Sequence, residues 1–291
     1  MSDRGILSSL RYLFADVIGD DDAPTPFLPE GLPEAVVPVA SHAIHMLIEY
    51  QGTSYAQLYV DRLKRFVGRR GFDDAVFAEI ARLMVARMSY EDPIRIAQLT
   101  LATLDDSPAP VNEVKKFRID ELVGALPAIA AEPVLDTLAW LGWLRLPVSI
   151  RFSTASRWGI RRLKIEAGLK RWRLFSVRYL KERGWVERWL HMIDRSLTKQ
   201  PAAAPAIVQT AEMITGYGDP YRQGMADWNA IIDGLAKPTF DGVLALSDLA
   251  GAVTEARAAA LPDPRQSALK RKIAEIRARV AAGAYATAPS T

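Results

Sequence analysis

No cysteine occurs anywhere in the 291 residues. That absence removes disulfides, thiolate zinc sites, cysteine-ligated iron–sulfur clusters and cysteine nucleophiles together. Histidine is almost as scarce, at His42, His45 and His191. The first two stand three apart and would share a helix face, but no His-Glu-x-x-His pattern completes a metal set, so they read as structural or surface histidines. Neither sign of charge dominates: 37 Lys and Arg oppose 34 Asp and Glu, a net +3. Long apolar runs are missing too. The most apolar stretch, residues 122–150, is interrupted by Pro127, Glu132, Pro133, Asp136, Arg145 and Pro147, well short of the roughly 20 uninterrupted residues that a membrane-spanning helix needs. The N-terminus carries Asp3 and lacks the apolar core of a secretory signal. These features predict a soluble, cytoplasmic chain with no membrane partner.

Several catalytic signatures are absent as well. There is no Gly-x-x-x-x-Gly-Lys-Ser/Thr phosphate loop and no Gly-x-Ser-x-Gly elbow, and Gly216 and Gly218 lack the third glycine of a dinucleotide fingerprint. What is present is helical periodicity. Phe77, Ile80, Met84 and Met88 recur at three and four residues, and Ile94, Ala97, Leu101 and Leu104 repeat the spacing. Between them lies Ser89-Tyr90-Glu91-Asp92-Pro93, where Asp92 suits an N-cap and Pro93 a first helical position, predicting a break or a kink.

Helical spacing also marks residues 5–18 and 41–67. In the latter, Gly52 sits on the apolar stripe and predicts a bend or a close approach of another helix. Five prolines between residues 23 and 38 mark an extended arm. A poorer helical pattern follows over 112–131, and 148–152 reads as extended. Helical stretches then cover 156–197, with breaks possible at Gly168 and Gly184, and 205–215, stopped by Gly216-Tyr217-Gly218-Asp219-Pro220. Further stretches cover 221–235, 243–261 and 268–281. The expected fold is all-α: a multi-helix domain over 41–237, preceded by a helix and proline-rich arm over 1–40 and followed by a helical extension over 238–291.

Two constellations carry candidate chemistry. Tyr90, Glu91, Asp92 and Arg95 could perform acid–base work if a pocket raised one carboxyl pKa. Capping by Asp92 and an internal ion pair to Arg95 explain the same residues structurally. Residues 151–183 hold eleven basic side chains against two acidic ones. If 160–181 were one helix, Lys164, Arg171 and Arg178 would form a cationic seam between two apolar arcs. Such a seam could meet an acidic subunit, a phosphate-bearing cofactor or nucleic acid, though no nucleic-acid motif accompanies it.

Taken together, Tyr50-Gln51, Tyr55-Ala56, Tyr59, Met88-Ser89-Tyr90-Glu91-Asp92 and Ile94-Arg95-Ile96-Ala97 suggest a family. The order continues through Leu169-Lys170-Arg171-Trp172-Arg173, Trp189-Leu190, Ile214-Thr215-Gly216-Tyr217-Gly218-Asp219, Gly224 and Trp228-Asn229. The series resembles the C-terminal helical domain of indolepyruvate ferredoxin oxidoreductase family proteins of the beta-subunit type. The resemblance implies membership in a 2-oxoacid oxidoreductase system in which thiamin diphosphate and iron–sulfur clusters sit in partner catalytic subunits. This chain has no cluster cysteines, no Gly-Asp-Gly diphosphate motif and no catalytic gamma-type domain, so no bound cofactor, metal site or catalytic residue is expected in it. The reading is a non-catalytic subunit or domain that docks, scaffolds or gates. The alternatives are an independent enzyme built on Tyr90, Glu91, Asp92 and Arg95, and a basic nucleic-acid-binding module.

Overall fold

The computed structural model describes residues 24–71, 73–106, 109–125 and 128–286, and they are mostly α-helical. The helix expected over 5–18 lies outside them. They divide into two compact units, one within Met1–Val67 and Met84–Trp185, the other within Gly68–Leu83 and Val186–Thr291.

In the first unit, α1 (Val37–Tyr50) and α2 (Thr53–Lys64) pack as a pair. They replace the single helix expected over 41–67. Gly52 takes φ +140°, a backbone conformation L side chains rarely adopt, and that is where the helix stops and restarts. The stop has a chemical consequence: the Tyr50 carbonyl is released from the helical ladder and accepts from side chains instead. Buried Ala43, Ile44 and Leu47 of α1 and Tyr55, Tyr59 and Leu63 of α2 supply core.

Helix α3 (Asp74–Met88) starts where Asp73 accepts the Val76 N–H at 2.8 Å, and α4 (Pro93–Asp106) starts at the expected proline. Asp92 caps it, its Oδ1 accepting the Arg95 N–H at 2.6 Å. The apolar face over Phe77, Ile80, Met84 and Met88 is buried as the spacing predicts.

The poorer helical pattern after residue 111 resolves into a strand. β1 (Asn112–Arg118) pairs antiparallel with β2 (Pro147–Ser153), Asn112 opposite Ser153 and Arg118 opposite Pro147. Phe117 and Phe152 are buried on one face, while Val114, Lys116 and Arg151 stand exposed on the other. This is the two-residue alternation of a ribbon with one wet face. Between the strands run α5 (Ile119–Gly124) and α6 (Ala128–Trp140). Ser156 then caps α7 (Arg157–Gly168), which packs on α4. A 3-10 segment, Leu169–Phe175, separates α7 from α8 (Val177–Lys199), and α8 passes through Gly184 unbroken.

The second unit gathers residues 186–199 of α8, α9 (Ala204–Gln209), α10 (Gly218–Ile231), the short α11 (Lys237–Phe240), α12 (Leu249–Ala258) and α13 (Ser267–Ala286). Its two fully buried indoles are anchored by hydrogen bonds. Trp189 Nε1 donates to the Ile207 and Val208 carbonyls at 3.3 Å, and Trp228 Nε1 donates to Thr210 Oγ1 at 2.9 Å. Residues 249–258 pack against α9 and α13.

Candidate functional site

Four chain segments meet in a buried polar knot in the first unit. At its centre Arg173, only 1% exposed, grips Asp92 with two parallel hydrogen bonds, Nε to Oδ2 at 2.6 Å and Nη2 to Oδ1 at 2.9 Å. Its remaining nitrogen donates to the Tyr50 carbonyl at 2.9 Å and to Gln51 Oε1 at 3.1 Å, so the fork is matched on every side. The guanidinium also lies 3.9 Å from the Tyr50 ring centroid. Burial works against the Arg173 charge, but Tyr50 and Asp92 outweigh it and hold its pKa above the usual arginine value.

Around this centre the joint between α3 and α4 is tied down. The Tyr50 hydroxyl donates to the Tyr90 carbonyl at 3.2 Å, and the Tyr55 hydroxyl to the Met88 carbonyl at 2.9 Å. Arg95 pairs with Glu49 at 2.8 Å rather than with Glu91 or Asp92. Glu91 is half-buried and makes no side-chain hydrogen bond or ion pair among the described residues. A second buried pair joins Arg87 to Glu182 at 2.6 Å, and Arg178 lies 3.9 Å from Glu182 and 4.8 Å from the Tyr90 ring centroid.

The space left beside Tyr90 and Asp92 is about 10 Å³, room for about one water molecule and not for a substrate. Asp92 is closed in by Arg173 and Arg95 is engaged by Glu49, so Tyr90, Asp92 and Arg95 form a joint between helices, while Glu91 stays partly exposed beside it.

The tyrosines give the joint a pH limit. Burial raises the Tyr50, Tyr55, Tyr59 and Tyr90 hydroxyls above the ordinary phenol value, against opposing charge from Arg173 at Tyr50 and Tyr90. An unfolded tyrosine ionises near pH 10 while these stay protonated. The stability they contribute is therefore whole below about pH 10 and falls above it, by about 1.4 kcal/mol per pH unit for each tyrosine. Urea midpoints taken at about pH 9, 10 and 11 should drop over the last step, and less steeply in a Tyr59→Phe variant.

The cationic seam is not formed. Lys164 lies on α7, Arg171 on the 3-10 segment and Arg178 on α8, so no continuous helix aligns them. Lys164 and Arg171 are exposed, whereas Arg178 is half-buried in the knot. Of the flanking apolar residues, Leu163, Leu174 and Tyr179 are buried, but Ile165, Leu169 and Leu180 are exposed.

Residues 134–146 form an outward apolar surface. Trp140 is 85% exposed and Trp143 50%, beside exposed Val134, Leu141 and Leu146. Their backbone is hydrogen-bonded. The Trp143 N–H donates to the Leu138 carbonyl at 2.9 Å and the Gly142 N–H to the Ala139 carbonyl at 3.1 Å, the paired bonds that end a helix in a Schellman turn. The Ile119 and Asp120 N–H groups bond back to Leu146 and Leu144.

Gly216, Tyr217, Gly218 and Asp219 lie in the second unit at the entry to α10. Asp219 pairs with Arg222 at 2.8 Å and lines a cleft of about 740 Å³. That cleft is walled by α10, the end of α12 and the loop over 260–264, and nothing in the sequence pattern marked it. Among the described residues no group of histidine and carboxylate side chains could hold a metal ion, and no helix is long and apolar enough to cross a membrane.

The fold therefore defines a mostly helical protein with a small antiparallel ribbon, an internal arginine–aspartate joint and an open apolar cleft. It belongs to the family of unknown function DUF6537, which matches residues 36–234. No curated protein and no solved structure matches the chain.

Proposed function

We propose that this chain is a non-catalytic, cytoplasmic docking and scaffolding module of an indolepyruvate-type 2-oxoacid:ferredoxin oxidoreductase. Thiamin diphosphate and the iron–sulfur clusters would be held by its catalytic partner subunits. The observation that carries the docking reading is the exposed apolar surface at Trp140, Leu141, Trp143 and Leu146, carried on a hydrogen-bonded turn. Two outward indoles, each with only two side-chain torsions and carried on a hydrogen-bonded turn, offer a large apolar area at low ordering cost, which is the property of an interface anchor. The oxidoreductase partner comes from the ordered motifs described above. Many of those motif residues, among them Tyr50, Tyr55, Tyr90, Asp92, Arg95 and Arg173, converge on the buried joint, which favours a framework role for them over a catalytic one.

The test is anaerobic co-purification of the tagged full chain with the catalytic subunits from its host, alongside a Trp140→Asp/Trp143→Asp double variant. The wild type should bring the oxidoreductase subunits with it. The variant should bind at least about 30-fold more weakly, the loss of a single strong interface anchor. Its urea midpoint should hold, because both side chains are exposed. Retention of the subunits by the variant would place the interface elsewhere, and their absence from the wild-type eluate would remove the oxidoreductase assignment.

A further inference from the structure

The cleft of the second unit presents an unbalanced charge. Asp219, Gln223 and Asp227 project from one face of α10, at spacings of four, and opposite them stand Arg257 at the end of α12 and the apolar pair Leu261 and Pro262. At about 740 Å³ with mostly apolar walls, the space is that of a small-molecule site.

Its polar groups are not equally available. The positive charge of Arg257 is already engaged, with Nη2 on Glu212 Oε2 at 3.2 Å and Nη1 on Gln209 Oε1 at 2.9 Å, while Arg82 holds the other Glu212 oxygen at 3.0 Å. Asp219 has Arg222. Asp227 differs. It is 5% exposed, and both of its hydrogen bonds come from neutral amides on one oxygen: Gln223 Nε2 at 2.9 Å and Gln266 Nε2 at 2.8 Å, each donating to Oδ1. Among the described residues no cation pairs with it, and Oδ2 accepts no hydrogen bond. A buried carboxylate held in place by two amides and left without a counter-charge favours a positively charged donor.

We propose that this cleft binds a small organic cation, a primary amine carried on an apolar body. The ammonium sits on Asp227 Oδ2 and the body lies against Leu261, Pro262 and Ala258. Gln223 and Gln266 are positioning residues that fix the carboxylate plane. A bare metal ion is disfavoured, because the carboxylates lining the cleft, Glu212, Asp219 and Asp227, are not gathered into a group that could hold one, and the first two are already paired with arginines. The proposal stands apart from the docking reading, since Trp140 and Trp143 belong to the other unit.

Calorimetric titration of the full chain with 2-phenylethylamine, n-hexylamine and the neutral isostere 2-phenylethanol tests it. Both amines should bind saturably, and the alcohol at least about tenfold more weakly than its amine, the worth of a charge-assisted contact. Asp227→Asn, which keeps the shape and the room for hydrogen bonding, should weaken the amines by the same factor and leave the alcohol unchanged. Ala258→Trp places bulk at an exposed cleft position and should abolish binding of all three. The charge comparison on the wild-type protein does not depend on either variant folding. Equal affinity for amine and alcohol, amine binding untouched by Asp227→Asn, or no saturable amine binding up to about 10 mM, the weak end of measurable affinity, would each overturn the proposal.

Discussion

Replacing Asp92 with alanine is expected to cost the first unit about 3–5 kcal/mol, because it strands the Arg173 guanidinium in the interior without its counter-ion. The same change removes the cap of α4, an effect of about 1 kcal/mol included in that range. Asp92→Asn should fall between, since an amide still caps the helix and accepts one hydrogen bond but carries no charge. The decisive comparison is the double variant Asp92→Leu/Arg173→Met. With both charges gone, no buried ion is left uncompensated, and most of the loss should return. Urea unfolding, with hydrogen exchange of the amides over 92–106, measures all three. If the double variant is as unstable as Asp92→Ala or more so, the loss does not come from a stranded charge and the joint is held by something else.

Gly224→Ala should be nearly as damaging in the second unit, about 3 kcal/mol, against the ordinary rule. Alanine normally stabilises a helix interior by up to about 1 kcal/mol over glycine. At this position a Cβ would stand within 2.0 Å of the Met213 carbonyl oxygen and 3.1 Å of Ile214 Cα, backbone atoms that cannot rotate aside. Gly184 is the control: it lies exposed inside α8 with nothing within 4 Å of a Cβ, so Gly184→Ala should gain stability. The pair can be read from two urea curves. Equal effects of the same sign would mean that α10 can move away from Met213.

Much of this architecture is legible in the sequence, and the boundary of legibility is physical. Asp92-Pro93 marks a helix start because capping is local, decided within four residues. The buried face over Phe77, Ile80, Met84 and Met88 follows from the helical period alone. Gly52 signals trouble in a helix, but whether it bends or stops depends on what the freed Tyr50 carbonyl can bond to, and the answer is Arg173, far along the chain. For the same reason Arg95 looks like the partner of the neighbouring acids, while the actual partners, Arg173 for Asp92 and Glu49 for Arg95, are brought up by tertiary structure.

The seam through Lys164, Arg171 and Arg178 fails at Gly168, where the chain turns into a 3-10 segment and the seven-residue spacing loses its meaning. Strand β1 hides behind Lys115 and Lys116: its apolar positions are too few to show alternation until β2 supplies the other half of the face. The cleft around Asp227 leaves no mark at all in local spacing, since its walls come from stretches 212–227 and 254–264.

The joint also orders events during synthesis. Arg173 closes it from 81 residues beyond Asp92 and 123 beyond Tyr50. A chain made from its N-terminus therefore exposes the aspartate and the freed carbonyl long before their guanidinium exists. Any fragment ending before residue 173 contains Asp92, Tyr50, Tyr55 and Tyr90, yet holds an acid with no Arg173 to meet it. Closing so long a loop costs conformational entropy that only the assembled interior repays. Arg173 is thus the clasp of the first unit, the residue whose arrival turns a set of helices into a closed body.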